Sequence, residues 1–150
     1  MTKQQLKDEL KQSMLARDVE KTSVLRMIIS AIGYFEINKG GAGYVATEED
    51  VMTVLQREAK QRKDSIEQFT TGNRPELAEK ETKELEMIQK YLPAQMGEDK
   101  IRGFVKEAII QTGTSSTQDM GKVMGALMPK TKGKADGGLV SKIVREELNK

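Results

Sequence analysis

Between Asp119 and Gly138 the chain reads DMGKVMGALMPKTKGKADGG, with lysines and glycines where an ordinary helix or loop carries other side chains. Lys130, Lys132 and Lys134 alternate through a loop bounded by proline and glycine that leads into a helix start near Asp136. Ammonium groups at this spacing, next to the free N–H groups of a helix N-terminus, suit phosphate oxygens. Lys122 and Lys142 extend the positive field, and with the three loop lysines and Arg145 they are opposed only by Asp136 between Met120 and Arg145. Solvated loop lysines are the competing reading. Gly121 and Gly125 fall inside a helical pattern, where each costs up to about 1 kcal/mol relative to alanine. They predict close approach of another backbone, with tight packing inside a small bundle as the simplest cause. Gly133 and Gly137 complete the glycine motif.

Other chemistry is limited by what the chain lacks. It contains neither cysteine nor histidine, which removes disulfides, thiolate nucleophiles, most zinc sites and a Ser-His-Asp arrangement. Gly133-Lys134 is not a nucleotide phosphate loop, because the G-x-x-x-x-G-K-[ST] pattern and its preceding strand are missing. Ser115-Ser116 beside Lys122 has the residue types of a serine-lysine amidase, but serines at a helix start serve as caps. The carboxylate groups Glu48-Glu49-Asp50 and Glu79, Glu81, Glu84 suit helix first turns and solvated faces better than acid-base pairs or magnesium sites. No catalytic residue, metal set or cofactor motif follows from these residues. Arg57, Lys60 and Lys63 form a second basic ridge at i, i+3 and i+6, where pairing of Lys60 with Asp64 favours an ordinary salt-laced surface. The six Phe and Tyr residues are too few to suggest a stacking platform for single strands.

The elements that must position these groups read as helices throughout. Leu6, Leu10 and Met14 recur every four residues after a Thr2 cap, as one face of an amphipathic helix. Asp18 caps a second helix to about Asn38, and Gly40-Gly41-Ala42-Gly43 ends it in a loop expected to be flexible. Thr47 and Asp50 form a capping-box variant for a long third helix that Gly72 closes. Pro75 starts a fourth, which Pro93 stops. The helical period then restarts in a different phase, placing a domain boundary at Leu92-Pro93. Glu98 to Gln111, a short helix opened by Ser116 and ended by Pro129, and a last helix from about Asp136 make a small bundle. The predicted fold class is therefore all-α: about four helices in 1–93, then a three-helix C-terminal domain in 94–150.

The most apolar stretch, Val24 to Ile37, is interrupted by Arg26, Ser30, Gly33 and Glu36, so no membrane span of roughly 18 apolar residues is expected. The N-terminal residues carry no apolar export segment, and the expected location is cytoplasmic.

Four blocks in this order, Arg62 to Phe69 (RKDSIEQF), Tyr91-Leu92-Pro93, Asp119 to Gly125 (DMGKVMG) and Lys132 to Gly137 (KGKADG), resemble the signature blocks of the GatB/YqeY domain family. The resemblance covers most of the chain. It implies a helical N-terminal part and a three-helix tail shared with the GatB component of the glutamine-dependent tRNA amidotransferase, the enzyme that converts mischarged Glu-tRNA or Asp-tRNA to the correct amide. In that enzyme the tail is associated with tRNA, while phosphorylation and amide transfer belong to the large catalytic portion, which 150 residues cannot hold. Three readings follow, in order. The first is a tRNA-binding accessory module using Lys122, Lys130, Lys132, Lys134 and Lys142. The second is an adaptor docking on an amidotransferase or an aminoacyl-tRNA synthetase, with Met120, Met124 and Met128 as an adaptable apolar stripe. The last is a carbon–nitrogen ligase with glutamine as amido donor.

Overall fold

A computed structural model describes residues 1–150, and the chain is all-α. Its elements are α1 (Lys3–Leu15), α2 (Val19–Gly40), α3 (Glu48–Thr71), α4 (Pro75–Gln89), α5 (Glu98–Thr112), a 3-10 turn (Thr117–Asp119), α6 (Met120–Thr131) and α7 (Gly137–Leu148). They form two compact units, Met1–Leu92 and Pro93–Lys150. None of the helices is long and apolar enough to cross a membrane.

In the first unit the helix starts are fixed by side chains the backbone needs there. The Thr2 hydroxyl accepts from Gln5 N at 3.1 Å while Thr2 N donates to Gln5 Oε1 at 2.8 Å. Thr47 and Asp50 exchange the same pair of bonds at the start of α3, and Asp18 accepts from Lys21 N. Such caps contribute about 1 kcal/mol each. Leu6, Leu25, Ile28, Ile32, Val51, Val54, Leu55 and Ile88 are buried together in one core, each adding roughly 1.5–3 kcal/mol by leaving water.

Two expectations about this unit fail for identifiable reasons. Met14 does not join Leu6 in the core and is 50 % exposed. A four-residue repeat drifts about 40° per step around a helix of 3.6 residues per turn, so by the third member the face has turned outward. Ser13 is buried instead, bonded to Leu10 O and the Thr22 hydroxyl at 2.9 Å each. The glycine loop is also not a loose tether. Gly41 and Gly43 hold φ of +73° and +96°, the left-handed values only glycine adopts freely, and these fold Tyr44 back onto Gly40. A Cβ on Gly40 would lie 2.6 Å from the Tyr44 ring. Tyr44 then donates to Asp50 at 2.7 Å, and Lys39 reaches the other Asp50 oxygen at 2.5 Å. Those two donors and Thr47 N hold the Asp50 carboxyl far below the usual carboxylate range.

Arg62 occupies a core-facing position of α3 and is only 5 % exposed. Its guanidinium donates to Glu58 Oε2 at 2.6 Å and contacts the Met27 sulfur. Its Nε lies 3.5 Å from Glu84 without hydrogen-bond alignment.

The second unit packs α5, α6 and α7 around Ile101, Val105, Val123, Leu127, Ile143 and Val144. Arg102 ties α5 to α7 through Glu146 at 2.9 Å and Glu147 at 2.7 Å, with Glu98 of its own helix at 3.1 Å. The bonded carboxylates hold its guanidinium even more firmly protonated than usual. Ser116 caps the 3-10 turn by accepting from Gln118 N, so the expected start of α6 is displaced to Met120. Pro129 does not end α6, which runs on to Thr131. A proline costs a helix the N–H bond to residue i−4 and crowds that residue's carbonyl. Here the helix runs on past the proline, with Thr131 Oγ1 donating to Leu127 O and Lys132 N to Met128 O.

Candidate nucleic-acid interface

The segment linking α6 to α7 is built by strict alternation. Thr131, Gly133 and Ala135 are buried, whereas Lys132, Lys134 and Asp136 are exposed. Gly133 has φ +80° and is the motif glycine that backbone conformation demands. The strap is stitched to the start of its own unit: Met96 N donates to Lys134 O at 2.7 Å, and Gln95 Nε2 to Gly133 O at 3.4 Å. Lys134 N and Ala135 N both donate to Thr131 O at 3.0 Å. Its inward side is thus held by backbone bonds and its outward side carries ammonium groups. Asp136 then caps α7, accepting from Gly138 N at 3.2 Å.

The five lysines singled out from the sequence do not form one cluster. Lys132 and Lys134 project from the strap. Lys142 lies on the exposed side of α7 with Arg145, and Lys134 and Lys142 have no carboxylate within ion-pair distance. Lys130 turns the other way, 3.2 Å from Glu107 and 5.3 Å from the Phe104 ring centre, so it is engaged with α5. Lys122 sits at the far end of α6, about 12 Å along the axis from Lys130, beside Asp119 at 3.7 Å.

The glycine expectation is corrected. A Cβ added at Gly121, Gly125 or Gly137 would meet nothing within 4 Å, so none serves tight packing of this chain. Gly121 and Gly125 instead leave the outer side of α6 bare, next to Lys122 and Met128. The methionines do not make one stripe: Met120 and Met124 pack against the core while Met128 is 55 % exposed. In the first unit, Arg57, Lys60 and Lys63 are exposed as a ridge, and Lys60 makes no ion pair with Asp64. Sequence spacing misses the engagement of Lys130, whose partners stand 23 and 26 positions earlier on another helix.

The family model described as "Yqey-like protein" matches residues 3–148. The chain belongs to that family. Among curated proteins it is 33 % identical over 121 residues to "Altered inheritance of mitochondria protein 41, mitochondrial" of Vanderwaltozyma polyspora, covering 77 % of this chain and 64 % of the relative. A protein of the same name from Clavispora lusitaniae is 41 % identical over 87 residues, covering 58 % and 49 %. An uncharacterized Schizosaccharomyces pombe protein is 36 % identical over 88 residues, covering 59 % and 69 %. The chain thus spans less than two thirds of the length of the two proteins so named. Those names overturn the expected cytoplasmic location. That expectation rested on the lack of an apolar export segment, a signal that does not bear on mitochondrial targeting, which uses amphipathic, Arg- and Ser-rich segments.

Proposed function

We propose that this Yqey-like chain is an accessory module that binds tRNA through the outward side of the α6–α7 strap and carries no active site of its own. The observation that supports the reading most is the alternation of the strap, which points Lys132 and Lys134 outward just before the α7 N-terminus while its buried residues hold the backbone still. Lys142 continues this positive side along α7. The bare glycine side of α6 lets a sugar-phosphate backbone come near the helix, with Lys122 at its edge. Contacts of this kind position a nucleic acid by its phosphates rather than by sequence. Lys130 contributes less, because binding RNA would cost it Glu107 and the Phe104 ring.

Filter binding against total tRNA over a salt series tests the reading. Affinity should fall steeply with salt, and Lys132→Ala with Lys134→Ala should make the log-log slope shallower by about one for each phosphate contact removed. Lys130→Ala should change it less. Absence of tRNA binding at low salt, or a slope unchanged in the double variant, rejects it. The exposed Met128 beside Gly121 and Gly125 favours a second reading, an adaptor that docks on an amidotransferase or aminoacyl-tRNA synthetase. Association with such a partner that survives nuclease treatment and is lost on Met128→Asp distinguishes it.

A further inference from the structure

We propose that the corner between α1 and α2, continued into the cleft between α2 and α4, is a docking site for an acidic amphipathic segment of a partner protein. Leu15 and Val19 are 77 % and 79 % exposed on either side of the tight turn, and Met14 adjoins them. Isolated exposed apolar residues are ordinary, but three within six positions beside a concavity mark an interaction surface.

The concavity begins at Val19. A cleft of about 230 Å³ is floored by Val24 and Met87 and edged by Lys80 and Lys83. That is below the roughly 300–1,000 Å³ of small-molecule sites and suits one apolar side chain delivered by a longer segment. A second hollow, between Met14, Arg17 and Arg26, shares Val19 and Ser23 with the first. The two make one trough across the face of α2.

Charge selects the occupant. Arg17, Arg26 and Lys80 have no carboxylate within ion-pair distance. Of the acids on the rim, Glu84 lies against Arg62, which leaves Glu20 as the one unengaged carboxylate. Arg17 sits at φ +58°, a left-handed conformation that costs a side chain about 1 kcal/mol or more and that glycine adopts freely. A cation therefore stands where glycine would be cheaper, between Leu15 and Val19. A segment with aliphatic or aromatic anchors at i, i+3 or i+4 and flanking Asp or Glu complements this trough. A second copy of the chain would set the same cations against each other across a two-fold axis. A bilayer would not enter the recessed cleft, and RNA brings no aliphatic anchor to an aliphatic floor.

This site shares no residue with the strap proposed for tRNA, so each can fail alone. The test is selection of a displayed library of random peptides, about 16 residues long, on the full chain. Enriched peptides should carry spaced apolar residues flanked by Asp or Glu. The dominant one, synthesised with a fluorophore, should bind about tenfold or more weakly to the Leu15→Asp, Val19→Asp double variant and to Arg17→Glu, Arg26→Glu, and its affinity should fall with salt. Both variants change exposed residues, and unchanged circular-dichroism melting verifies that they fold. No enrichment, neutral or basic flanks, or binding indifferent to both variants overturns the proposal. So does Val19-dependent binding to phosphatidylserine vesicles without peptide binding, or a dimer that Val19→Asp dissolves.

Discussion

The two units treat charged residues in opposite ways. In Met1–Leu92 the long helices α2 and α3, of 22 and 24 residues, draw charge inward: Asp50 is held by Lys39 and Tyr44, Glu36 by Lys3, and Arg62 lies buried among Glu58, Glu84 and Met27. In Pro93–Lys150 the helices have 12 to 15 residues, and charge stays at the surface of a smaller core: Arg102 clamps Glu98, Glu146 and Glu147, Lys130 meets Glu107 and Lys150 meets Glu147. Charge in the first unit specifies the fold. In the second it stays at the surface, outside the core of α5, α6 and α7. Three perturbations test this contrast, ordered by the size of their effect.

Arg62→Ala should be the most damaging charge substitution in the chain. Removing one member of a buried ion group leaves its carboxylates desolvated without a partner, at a cost of about 3–5 kcal/mol. No lysine on the strap should cost its unit more than about 0.5 kcal/mol when made alanine. The chain offers a direct way to see this, because all three tyrosines, Tyr34, Tyr44 and Tyr91, lie in the first unit. Tyrosine emission should lose its transition at lower denaturant in Arg62→Ala. Ile143→Ala, expected to cost about 2–5 kcal/mol, should leave tyrosine emission in place and shift only part of the helical signal. Coincident shifts in both probes for both variants would mean that the units do not differ in this way.

Acid provides the second comparison. Hydrogen bonds from Lys39 and Tyr44 lower the Asp50 pKa, and the Lys3 bond lowers that of Glu36. A carboxyl with a lowered native pKa contributes stability that is complete above the ordinary carboxylate range and lost as pH falls through the native value. Asp50→Asn should therefore reduce the stability of the first unit at pH 7 and flatten its decline between about pH 5 and pH 2. The second unit has its own acid-labile pair, Glu146 lowered by Arg102 and Glu147 by Lys150 and then Arg102. Its acid response should be unaffected by Asp50→Asn. Tyrosine emission against pH, compared with circular dichroism, reads both.

Local signals carry most of the fold. Thr2, Asp18, Thr47 and Pro75 begin helices in the structure because caps and first-turn prolines act on neighbouring N–H groups, and such neighbours are visible in sequence. Pairings across the chain are not visible there. Lys3 meets Glu36 and Tyr91 meets Glu9 across 33 and 82 positions, and nothing in the spacing of either residue points to the other. Arg62 shows the conflict most clearly, since its type argues for solvent while its register on α3, in line with Val51, Leu55 and Ala59, puts it inside. The strap falls between these cases. Its lysine alternation is legible, but the loss of Lys130 to Glu107 and Phe104 requires the packed α5.

The helical glycines give the smallest and most discriminating test of the contrast. Gly33 lies inside α2 and Gly121 and Gly125 inside α6, and a Cβ at any of the three would meet nothing within 4 Å. Alanine should therefore stabilise each helix by about 0.5–1 kcal/mol, since glycine loses more backbone freedom on folding. Gly33→Ala should raise the midpoint followed by tyrosine emission, and Gly121→Ala with Gly125→Ala the one followed by the remaining helical signal. If the bare side of α6 admits a phosphate backbone, the double alanine variant should gain stability and lose tRNA affinity together, while Gly33→Ala gains stability alone. Stabilisation of α6 without loss of affinity would leave Lys132 and Lys134 as the interface and remove the glycine side from it. Loss of stability at Gly121 or Gly125 would show that something in the second unit approaches α6 more closely than its surroundings indicate.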